Sequence, residues 1–155
     1  MTIYHVMQDF KKVLEAAVKE AHLKTKLNVI KDPQIVLGYL DPLQEEDKGQ
    51  EDFPYIIVRY INDMTLEEQS NLSLKLIFGA YSEDIEGWVD VLHLMELVKK
   101  AVLTKSVFNF YTIDRPIKTS MPEEQPYPYF FGFMELTLTI PHLQMEGEQG
   151  RWQVE

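Results

Sequence analysis

From Leu72 to Gly79 the chain alternates without a break. Leu72, Leu74, Leu76 and Phe78 fall on one side, Ser73, Lys75, Ile77 and Gly79 on the other. Successive side chains of a strand point to opposite faces, so this segment belongs in a sheet with one covered face. A second run repeats the pattern: Met134, Leu136, Leu138 and Ile140 alternate with Phe133, Glu135, Thr137 and Thr139, and Pro141 stops it. Any fold for this chain must supply a layer that covers the apolar side of these strands.

Two helical stripes can supply it. Apolar residues recur at Ile3, Val6, Met7, Phe10, Val13, Leu14, Ala17, Val18 and Ala21, which predicts an amphipathic helix over 3–23 with Thr2 as its N-cap. Ile85, Trp88, Val91, Leu92, Met95, Val98 and Val102 predict a second over 84–104. Ser82 is placed to cap it, and Glu83, Asp84 and Glu86 suit its positive end. Further strands are expected at 35–40 (IVLGYL), 54–61 (PYIIVRYI) and 107–113 (VFNFYTI), with a short edge strand at 115–120. The order predicts an α+β fold: two layers, a mainly antiparallel sheet, and two principal helices packed on one face. The open face would carry Arg59, Ser73, Lys75, Glu135, Thr137 and Thr139. The chain of 155 residues suits one domain, placed at 1–141, followed by a polar, flexible tail at 142–155. The acidic stretch 41–53 (DPLQEEDKGQEDF) reads as an exposed loop.

Composition removes several chemistries. With no cysteine, disulfides, thiolate metal sites and cysteine nucleophiles are excluded. The formal charge is −10, and no basic cluster exceeds Lys11-Lys12 or Lys99-Lys100, so direct nucleic-acid binding is not expected. No apolar run approaches the ~20 residues of a membrane span, and the first residues lack a signal peptide's build, so a soluble, non-exported protein with no membrane partner is expected. No HExxH, GxSxG, P-loop or GxGxxG pattern occurs. Glu86, Asp90 and His93 have helical spacing for a divalent ion, but the same spacing describes a solvated helix face. Glu123-Glu124 is a neighbouring pair on an open loop, without the split environments that acid–base catalysis needs. No catalytic, metal or cofactor-binding residue is assigned, and an enzyme is not expected.

Two aromatic–proline clusters remain, Phe53-Pro54-Tyr55 and Tyr127-Pro128-Tyr129-Phe130-Phe131. They either close one end of the core or present stiff, low-entropy area to another subunit. With the open sheet face, they give the candidate interface residues Tyr55, Arg59, Lys75, Pro126, Tyr127, Tyr129 and Phe130.

FPYIIVRY at 53–60, the strand ending GAYSED at 79–84, GWVDVLHLMELVKKAVL at 87–103 and PEEQPYPYFFGFMELTLTIP at 122–141 carry a resemblance. In this order they resemble the tail-terminator (tail-completion, minor capsid-like) proteins of long-tailed bacteriophages and prophages, over about residues 33 to 141. The resemblance implies an α+β subunit that forms a ring, a hexamer once assembled, on the finished tail tube. Its implied partners are itself, the tail-tube protein and the head-connector protein. It implies no cofactor, and residence in the host cytoplasm during assembly and in the virion tail or neck afterwards. Acidic residues of 41–52 or of the open face would line the passage for DNA. Two alternatives stand beside it: another neck, head–tail joining or minor capsid protein, and a small enzyme or ligand-binding domain.

Overall fold

The computed structural model describes residues 2–19, 21–25, 30–41, 53–105, 107–108 and 110–142. Helix α1 spans Ile3–Val18 and opens where Thr2 accepts a hydrogen bond from the His5 amide. It buries Val6, Met7, Phe10, Leu14 and Val18, the predicted stripe. The helix does not reach residue 23: the chain leaves it at Lys19, and His22 adopts a positive φ of 57°. Instead, β1 (Leu23–Lys24) pairs with β2 (Ile30–Lys31) in a short ladder.

The main sheet holds β3 (Gln34–Leu37), β4 (Tyr55–Thr65), β5 (Gln69–Tyr81), β6 (Thr112–Ser120) and β7 (Tyr129–Pro141). Their order across the sheet is β3-β4-β5-β7-β6. Every pairing is antiparallel except β3 with β4. A parallel pair needs a crossover of about a dozen residues or more, which the connection from Gly38 to Pro54 supplies. Gly38 starts that connection with φ 86°, a left-handed turn open to glycine at no steric cost. Residues 42–52 of the acidic stretch and 143–155 of the predicted tail lie outside the described residues.

Helix α2 spans Trp88–Thr104, preceded by a 3-10 turn at Ile85–Gly87. Asp84, not Ser82, caps that turn by accepting from the Glu86 amide, while the Ser82 hydroxyl accepts from the Asp84 amide. The helices pack against each other on one face, α1 beside β3 and α2 over β5 and β7. Val6, Phe10, Leu14, Val91, Leu94 and Val98 meet Ile56, Val58, Leu72, Leu74, Leu76, Phe78, Met134 and Leu138 to make the main core. This is the expected α+β architecture. Among the described residues no helix is long and apolar enough to cross a membrane.

The expected strand over 107–113 begins only at Thr112. Val107 makes one bridge to Thr112, and Tyr111 turns inward, its hydroxyl donating to Asp9 Oδ2 at 2.7 Å and its ring stacked on Phe108. Burial of one aromatic overrides the local β preference. The true strand starts at Thr112 and is the sheet's outer edge, where Pro116 removes no ladder hydrogen bond the core requires.

Candidate functional site

The helix-free face divides into two halves. Toward one end, Tyr55 pairs across from Gly79, Ile57 from Ile77, Phe131 from Gly79 and Tyr129 from Tyr81. Phe53 lies over this half, its ring 4.9 Å from those of Tyr55 and Tyr129. Phe53, Tyr55, Ile57 and Tyr81 are buried as a second, smaller core on the far side of the sheet. A side chain on Gly79 would put Cβ 2.6 Å from the Tyr55 ring, so the bare strand there is what lets that ring lie flat on the sheet.

The other half is polar and open. Its first row runs across four strands, Arg59, Lys75, Glu135 and Lys118, each in register with the next. Beyond it, Asp114 accepts from the Thr139 hydroxyl at 2.6 Å and from Thr112 at 3.3 Å. Two irregularities shape this half. Ile61 has no partner between the Tyr60–Leu74 and Asn62–Ser73 pairs. Arg115, Pro116 and Ile117 stand opposite Leu136 alone. Bulges of this kind bend the strand and re-aim side chains. Between them lies a groove of about 510 Å³, lined by Ile61, Ser73, Lys75, Pro116, Lys118 and Glu135 among others. Lys75 lies 4.5 Å over the Phe133 ring, and Arg59 is tied by Nε to the Gly38 carbonyl and lies 4.1 Å over Tyr39. Among the described residues no ion pair engages Lys75, Lys118 or Glu135. The charged row of the open face is mostly basic, with Glu135 its one carboxylate, and residues 42–52, the other part of the expected acidic lining, lie outside the described residues.

A different surface sits at the opposite end from the β4–β5 turn. Gln125 brackets Phe131, its Nε2 donating to the carbonyl at 2.8 Å and its Oε1 accepting the amide at 2.9 Å. The β6–β7 ladder has ended at Ser120–Phe133, so this side chain replaces a missing strand partner. The loop so fixed holds Tyr127 outward at 54% exposure, with its hydroxyl donating to the Glu83 carbonyl at 2.6 Å. Ile85 and Trp88, read from sequence as part of the core stripe, are exposed at this same end, at 70% and 43%. Glu83, Asp84 and Glu86 flank them in the chain and Glu123 and Glu124 precede Tyr127 on its loop, all five exposed. The Tyr81 phenol, hydrogen-bonded to Glu83 and partly desolvated, has its pKa pushed up to about 12.

The predicted interface residues thus separate. Arg59 and Lys75 come together as a cross-strand pair on the polar half. Tyr55 and Phe130 are buried within the chain, at 5% and 3% exposure, and Tyr129 is half-buried, so these three close the core ends. Pro126 and Tyr127 remain exposed at the acidic end. Sequence reading missed Lys118, Ile61 and Pro116 on the groove, and Ile85 and Trp88 at the acidic end. Glu86, Asp90 and His93 form no metal cluster among the described residues. Asp90 is half-buried, and burial, opposed by His93 and helped by Asp84, raises its carboxyl above the usual range. No protein-family model matches the chain, and no curated protein matches it.

Proposed function

We propose that the chain is a structural subunit that works by contact with copies of itself and with other proteins, as a tail terminator of a long-tailed phage or prophage. One observation carries this reading. The subunit has two unlike exposed surfaces, a cationic groove on the sheet and an acidic, aromatic end. Closed rings are built from heterologous contacts, which need two different complementary patches on each subunit. The order of the segments at 53–60, 79–84, 87–103 and 122–141 supports the narrower assignment by resemblance. In this reading the subunits form a ring on the tail tube, halt its growth and present a surface to the head connector. They gather in the host cytoplasm and remain in the virion.

The test is electron microscopy of tail-tube protein polymerised with and without this chain. Tubes of uniform length, capped at one end, are the expected result. Tubes that grow equally long in its presence would end the terminator assignment.

A further inference from the structure

We infer that the groove crossed by Lys75 and Lys118 receives the acidic end of a second copy of this chain. The inference takes as its premise the reading of the protein as a contact subunit, and adds which two surfaces meet.

The groove and the end match in two respects. Lys75, Lys118 and Arg59 face Glu135 alone in their row, a cationic strip on a chain whose formal charge is −10. The end carries five exposed carboxylates, at 83, 84, 86, 123 and 124. Opposite potentials of this kind steer two surfaces together and fix their register. Both also hold exposed apolar area beside their charges. The groove is flanked by Ile61, 48% exposed, on β4 and by Pro116 on β6, and the end has Trp88, Ile85 and Tyr127. Exposed aromatic and aliphatic side chains set among charges are the make-up of a protein contact. The alternatives within a pair of copies are poorer. Two grooves face to face would bring four lysines against two carboxylates, and two ends would oppose carboxylate to carboxylate. Like charges in contact disfavour both arrangements.

The geometry also propagates. The groove lies on the sheet face, and the acidic end lies where Tyr81 and Tyr129 finish the sheet. Each docked copy therefore leaves one groove and one end free, and addition continues until the rotation closes or a filament forms.

Because the chain has no cysteine, engineered thiols report on this contact without background. Lys118→Cys and Glu124→Cys change exposed side chains on different copies. The two variants, one isotopically labelled, are mixed and mildly oxidised, and mass spectrometry separates hetero- from homodisulfides. The expected heterodisulfide yield is several-fold above that of Lys118→Cys mixed with Lys12→Cys, a thiol on the exposed side of α1. It should fall to the control level in high salt or when Lys75→Glu is added to the Lys118→Cys chain. A chain carrying both thiols should give a ladder of covalent oligomers. A yield equal to the control overturns the inference, as does a dominant Lys118→Cys homodisulfide. A gel shift of short duplex DNA that Lys75→Glu abolishes, with cross-linking at control level, would make the groove a polyanion site and also overturn it. The cross-link is read without any tail tube. Its failure leaves the terminator assignment to the tube-length experiment, and failure of that experiment leaves the cross-link standing.

Discussion

Tyr111 shows how much one side chain can decide. It is among the largest fully buried residues, and its hydroxyl ties the chain before β6 to Asp9 of α1. Burial first, and the hydrogen bond to Asp9 second, hold the phenol's pKa well above its ordinary value of 10.0. In the unfolded chain the proton leaves near pH 10, whereas the folded chain keeps it. The folded state then binds more protons than the unfolded state, so this contribution to stability is intact below about pH 10 and declines as pH rises further. Tyr111→Phe should cost about 1–3 kcal/mol near neutrality, the range for leaving a hydrogen-bonding group without its partner. The gap between variant and parent should narrow above about pH 10. Thermal melts of both proteins across that range decide it, and curves that stay parallel would mean that Tyr111 does not titrate differently in the two states. None of this was legible in VFNFYTI, which has a strand's composition. Gln125 was equally silent, because a side chain that substitutes for a strand partner has no local signature.

At the scale of elements, the close approach of α2 to β7 rests on Gly132. A Cβ there would lie 2.6 Å from Val91 Cγ1 and 3.0 Å from Met95 Sδ. Both neighbours are buried and Val91 is stiff at χ1, so the helix would have to lift. Gly132→Ala should destabilise by about 1–3 kcal/mol, the usual range for overpacking. Val91→Ala leaves a cavity, but a methyl at 132 partly fills it. The double variant should therefore be less destabilised than the sum of the two single changes. Urea unfolding of the four proteins measures the coupling, and strict additivity would mean that the glycine is not what sets the helix position. Elements with strong periodicity were readable in advance: β5 and β7 by alternation, and the body of α2 by its stripe. The failures have physical causes. Ala21 continues the periodicity of α1, yet the backbone has already turned at Lys19. Ile85 fits a 3.6-residue stripe, but it sits in a 3-10 turn whose tighter winding rotates it off that stripe. Arg59 and Lys75 were placed on the open face by alternation alone. Lys118 was not, because the irregularity at 115–117 hides its register with Glu135.

Taken as a whole molecule, the chain carries its charge unevenly, and with the proposed contact that predicts two opposed effects of salt. The formal charge of −10 includes five carboxylates crowded at one end of the sheet. Self-repulsion of this kind opposes the compact state. Moving from about 10 mM to 150 mM salt shortens the screening length from roughly 30 Å to 8 Å, so the isolated subunit's Tm should rise by a few degrees. For the contact proposed between the groove and the acidic end the sign is opposite, since screening weakens attraction between copies. Association should therefore weaken over the same salt range in which the subunit itself grows more stable. Calorimetry at low protein concentration follows the first effect, and sedimentation at high concentration follows the second. A folding defect cannot mimic this pair of results, because it would move stability and assembly in the same direction. If salt strengthened association instead, apolar area would be the main force between copies, and the exposed hairpin residues Tyr60, Ile61, Met64 and Leu66 would become the surface to mutate.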